Sequence, residues 1–131
     1  NPVSCAIGME VLQIIEDEGL HENAQKVGQH LLSALSGLMD RHLLVGDVRG
    51  KGLYMGVELI LDRASRAPAK EEAYAISDAL LGRGVISYPT GQFDNVLKIK
   101  PPMVFDNSHA DFFVEALDAV LTTTEESSTL T

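Results

Sequence analysis

The stretch Leu44-Val-Gly-Asp-Val-Arg-Gly-Lys-Gly-Leu-Tyr-Met-Gly-Val-Glu-Leu59 decides the fold. Leu53, Met55, Val57 and Leu59 alternate with Tyr54, Gly56 and Glu58, the period of a half-buried strand. A shorter strand is predicted just before it, from Leu44 to Arg49, with Gly50-Lys51-Gly52 as the connection. These glycines invite comparison with a phosphate-cradling loop. Such a loop follows a strand and opens a helix, so that phosphate meets the helix N-terminus. Here the glycines precede and interrupt a strand, which makes them a turn and a close-packing position.

Upstream the period becomes helical. Asn1 can cap a helix and Pro2 can occupy its first turn without losing a hydrogen bond. Val3, Ile7, Val11, Ile14 and Ile15 then recur at helical spacing until Gly19 stops the run. A second stripe follows at once through Leu20, Ala24, Val27, Leu31, Leu35 and Leu38, ending near Asp40. So short a connection predicts an antiparallel helix pair or a sharp bend.

Downstream, Asp62 to Pro68 reads as a polar loop and Ala69 to Leu81 as a third helix closed by Gly82 and Gly84. Two strands follow, Val85–Tyr88 and Val96–Lys100, the second cut off by Pro101-Pro102 because proline cannot donate to a ladder. The last helix should start near Asn107-Ser108, both competent caps, and carry its stripe from Phe112 to Leu121. Residues 122–131 are polar and low in complexity, and are expected to form a flexible tail. The order predicts an α+β domain over residues 1–121. It consists of a helical pair (1–40), then a small antiparallel or mixed sheet with helices mainly on one face (44–121).

The 131 residues match one hydrophobic core, and no apolar run approaches the roughly 20 residues that a membrane span needs. A soluble, globular chain is therefore expected. A formal charge of −9 argues against nucleic acid, whose phosphates call for clustered Lys and Arg. Cys5 is the only cysteine, which excludes an internal disulfide and a Cys-rich zinc site and fits a reducing, cytoplasmic setting. Its apolar neighbours predict a buried, inert thiol. His21, His30, His42 and His109 show no metal-ligand spacing and are expected on the surface. The opening Asn1-Pro2, with neither an initiating Met nor a signal sequence, reads as the interior of a longer gene product.

One chemical feature stands out. Arg49 with Lys51, and Lys98 with Lys100, each share strand parity, so each pair points to one face. The functional reading is an anion-binding wall; the structural alternative is lysines guarding a sheet edge.

The same residues carry a family resemblance. Asn1-Pro-Val-Ser-Cys-Ala6, Asp47-Val-Arg-Gly-Lys-Gly-Leu53 with Gly56-Val-Glu-Leu59, Gly82-Arg-Gly-Val85 and Ile99-Lys-Pro-Pro-Met103 together resemble the C-terminal small domain of class III aminotransferases. These are fold-type I enzymes that use pyridoxal 5′-phosphate. The resemblance implies that the Schiff-base lysine, the pyridinium-nitrogen aspartate and most phosphate contacts come from an N-terminal large domain missing here. No catalytic or cofactor-binding residue is then expected in this chain, and the fragment should be inactive alone. The resemblance also implies an amine or amino-acid substrate and a homo-oligomer, a dimer or larger. The family commonly places a carboxylate-binding arginine where this chain has Lys98. Asn95-Val-Leu-Lys-Ile-Lys-Pro-Pro-Met103 looks more like the phospho-lyase branch, which eliminates phosphate from amine substrates. Lys98, with Arg49 as helper, is thus the expected substrate-binding pair. A free-standing α+β binding, regulatory or dimerisation module is the alternative.

Overall fold

The computed structural model describes residues 1–129. Four helices and four strands follow in the order α1 (Pro2–Asp17), α2 (Leu20–Arg41), β1 (Val45–Lys51), β2 (Tyr54–Leu59), α3 (Lys70–Leu81), β3 (Pro89–Thr90), β4 (Val96–Ile99) and α4 (Asn107–Thr129). The strands form one sheet in the order β1-β2-β4-β3, and every neighbouring pair is antiparallel. The expected α+β class holds.

The β1–β2 hairpin turns through Gly52, whose φ of 56° lies in the left-handed region that favours glycine. Alternation then sorts the side chains. Met55, Val57 and Leu59 of β2 and Leu97 and Ile99 of β4 face the core, together with Val45. Against them pack Val27, Leu31, Leu35 and Leu38 of α2, Ala73, Ile76 and Leu80 of α3, and Phe113, Leu117 and Leu121 of α4. Among the described residues, no helix covers the opposite face of the sheet.

Helix α1 is a different object. Its cap forms as the sequence suggests, with Asn1 Oδ1 accepting from Val3 N at 3.0 Å, and Gly19 turns the chain into α2 with a φ of 61°. Yet α1 has no buried residue, and its Val3, Ile7, Met9, Val11, Leu12 and Ile14 are 42–67% exposed. Cys5, expected to be buried, is exposed like most of that helix.

Three further differences from the sequence reading have physical causes. The strand expected at Val85–Tyr88 is absent, and only Pro89–Thr90 pairs, with Leu97 and Val96. Extending that antiparallel register would bring 85–88 opposite Lys98–Pro101, of which only Pro101 lacks a donor. Segment 85–88 is instead tied to α3, by Ser77 Oγ donating to the Ser87 carbonyl and by an edge-to-face contact of Tyr74 with Tyr88. Second, the cap of α4 is Asp106, whose Oδ1 accepts from His109 N at 3.0 Å, one residue before the expected Asn107. Third, α4 continues through 122–129, where the composition predicts a loose tail; Leu130 and Thr131 lie outside the described residues.

The extension of α4 is fastened by a polar cluster at the start of β1. His42, also expected on the surface, is only 4% exposed. Its Nε2 lies 2.5 Å from Asp118 Oδ1 and its Nδ1 3.2 Å from Glu125 Oε2. Glu125 Oε1 accepts from Leu44 N at 2.8 Å, and Arg41 donates to Asp118 at 2.5 Å. Burial pushes the Asp118 carboxyl up, but the hydrogen bonds from His42 and Arg41 outweigh it and leave its pKa below the ordinary value. A depressed carboxylate pKa contributes stability above the unfolded pKa and loses it as pH falls through the folded one. Urea midpoints should therefore drop as pH falls below about 4, the ordinary Asp range. Asp118→Asn should flatten part of that slope while lowering stability at neutral pH. An unchanged slope in Asp118→Asn would remove this cluster from the account.

Candidate functional site

The uncovered sheet face gathers the chain's candidate anion-binding residues. The register places Arg49 opposite Gly56 and Gly56 opposite Lys98, so the three form one row across β1, β2 and β4. Arg49 and Lys98 therefore share a face by register, with β2 standing between them. Two strand spacings separate their backbones by roughly 10 Å. Gly56 leaves the middle of the row without a side chain, and a Cβ there would come within 2.9 Å of Val96 Cγ1.

The two cations differ in environment. Arg49 Nη1 donates to Asp47 and to Glu58, each at 2.6 Å, and Arg66 reaches Glu58 at 3.5 Å. These contacts, the Asp47 hydrogen bond first, raise the Arg49 pKa above its ordinary value. The positive charge of Arg49 is thus largely offset where it sits. Sequence reading missed this because Glu58 is nine residues away and meets Arg49 only through the hairpin, as the diagonal neighbour of its partner Gly56. Lys98 is exposed and has no ion-pair partner among the described residues. The same holds for Lys51 and Lys100. The row consequently presents one uncompensated cation beside a glycine against which the Val96 side chain packs closely.

The histidines do not converge. His30 pairs with Asp111 at 2.6 Å and His109 with Asp106 at 2.8 Å. Among the described residues no group of three His, Cys, Asp or Glu could hold a metal ion. No described helix is long and apolar enough to cross a membrane.

Among the described residues, a small antiparallel sheet carries three helices on one face and the row of Arg49, Gly56 and Lys98 on the other. A sequence model of the class III aminotransferases matches residues 1–121, so the chain belongs to that family. Over 118 residues it is 46% identical to alanine–glyoxylate aminotransferase 2 homolog 2, mitochondrial, of Arabidopsis thaliana, covering 90% of this chain and 25% of that protein. It is 41% identical to ethanolamine-phosphate phospho-lyase homolog 1 of Caenorhabditis elegans, covering 93% of this chain and 26% of the relative. An Arthrobacter phospholyase solved in complex with phosphoethanolamine superposes with a TM-score of 0.89 at 36% identity, over 94% of this chain and 29% of that one. The chain spans about a quarter of the length of these curated relatives. The reading as a free-standing module is not favoured.

The family uses pyridoxal 5′-phosphate, and the residues present do not form a seat for it. Lys26, Lys51, Lys70, Lys98 and Lys100 are all exposed. A competent Schiff-base lysine is desolvated or otherwise activated and positioned against the ring. Lys70 is instead engaged with Asp94 at 2.9 Å on the surface.

Proposed function

We propose that this chain is the substrate-side C-terminal part of a pyridoxal-phosphate enzyme whose amine or amino-acid substrate carries an anionic group, and that the group is a phosphate. The observation that carries this reading is Lys98, the uncompensated cation of the Arg49–Gly56–Lys98 row. A lysine is a point charge without the fork that matches a carboxylate bidentately, and it suits a phosphate approached from several directions. Arg49 serves as helper at the far end of the row, its charge moderated by Asp47 and Glu58. The relatives include both aminotransferases and phospho-lyases, and the lysine favours phosphate elimination.

The cofactor, its lysine and its aspartate belong in this reading to an N-terminal large domain. The exposed apolar surface of α1 supports it, since a helix apolar around most of its circumference calls for burial on several sides. A homo-oligomer and a cytoplasmic location are further parts of the proposal. The lone Cys5 fits a reducing interior.

The test uses the full-length protein with pyridoxal phosphate and phosphoethanolamine. Release of inorganic phosphate at a rate that saturates with substrate is expected. Amino transfer to an oxo acid without phosphate release would move the chain to the transaminase branch, and neither activity would overturn the reading.

A further inference from the structure

Where segment 85–88 fails to pair with the end of β4, the two strands part and leave a cleft of about 630 Å³. The size suits a small ligand. Val85, Ile86, Ile99, Phe112 and Phe113 line it, so it is apolar and partly aromatic. Ile86 is 90% exposed at its mouth, although β-branched apolar side chains usually lie inside. Lys98 and Lys100 also border the cleft, and no Asp or Glu is among its lining residues. Both lysines lack an ion-pair partner among the described residues, in a chain of formal charge −9. A further lining residue, Ser87, has a buried hydroxyl without a hydrogen-bond partner.

We infer that this cleft binds a small anion with an aromatic body, the ring seated on Phe112 and Phe113 and the anionic group drawn to Lys100 and Lys98. Charge complementarity selects the anion, and apolar burial supplies most of the affinity. The cleft shares Lys98 with the proposed substrate site but depends on no reaction. Its test can fail while the catalytic reading stands.

The probe is 3-phenylpropionate, with neutral 3-phenylpropanol as control, titrated into the 131-residue chain and into the full-length protein, both without substrate. In the 131-residue chain, saturable amide shifts confined to 84–88, 98–100 and 112–113 are expected with the acid. Calorimetry should show the alcohol, and the acid on Lys100→Met, binding about tenfold more weakly, the loss of one charge-assisted contact. Phe112→Ser, a change at an exposed site, should weaken the acid further while leaving the thermal midpoint nearly unchanged. Equal binding of acid and alcohol overturns the inference, as does the absence of saturable shifts. Binding to the 131-residue chain but not to the full-length protein also overturns it, because the cleft would then be covered by the rest of the polypeptide.

Discussion

Gly28→Ala should destabilise the domain by about 3 kcal/mol, a large effect for one added methyl group. Gly28 is buried on α2 where that helix crosses the β1–β2 turn. A Cβ there would lie 2.3 Å from the Gly52 carbonyl oxygen and 2.5 Å from its carbon. Both are backbone atoms, so no side-chain rotation relieves the clash, and Gly52 is itself held by its positive φ of 56°. Helix and hairpin must separate, which opens the packing of Val27 and Leu31 on the sheet. Gly37 of the same helix is the control: it is exposed, and nothing lies within 4 Å of a Cβ there. Gly37→Ala should stabilise by about 0.5–1 kcal/mol through helix propensity alone. Urea unfolding of the two variants separates the cases. A Gly28→Ala midpoint equal to wild type would mean that helix and turn are not in contact.

That contact was not legible in the sequence, where Gly28 is only a small residue within a helical stripe. Local periodicity carried what was legible. The spacing in α2 and the alternation in β2 reflect burial on one face, and burial leaves its trace at intervals of three to four residues or of two. The extension of α4 has no such trace. Its residues from Thr122 onward are polar, and in place of a buried stripe their hydroxyls bond back to carbonyls four residues earlier, as Thr122 does to Asp118 and Thr124 to Val120. Glu125 then anchors the helix to Leu44 N, 81 residues away in sequence, a partnership that no local pattern encodes. The strand expected at Val85–Tyr88 gives way to contacts with α3, from Ser77 to the Ser87 carbonyl and from Tyr74 to Tyr88, which no local pattern encodes.

The candidate site divides in the same way. Shared parity paired Arg49 with Lys51 and Lys98 with Lys100, each within its own strand; only the register brings Arg49 and Lys98 into one row. Strand order was not readable, and it places β2 between them. Register then brings Glu58 diagonally onto Arg49, so two cations that look equivalent in sequence become one compensated and one free. The family motifs at residues 47–53 and 99–103 fall at the β1–β2 hairpin and the end of β4, the two places that border this row.

The central claim is therefore that Lys98 supplies positive charge to an anionic substrate group. Its most direct test is kcat/KM for phosphoethanolamine in the full-length enzyme carrying Lys98→Ala or Lys98→Arg. Removing a charge-assisted contact should lower kcat/KM by about 10- to 100-fold in Lys98→Ala, mostly through KM. Lys98→Arg should keep most of the activity, because charge matters here more than fork geometry. A Lys98→Ala enzyme that folds normally and retains wild-type kcat/KM would contradict the account and leave Lys98 as a guard on the sheet.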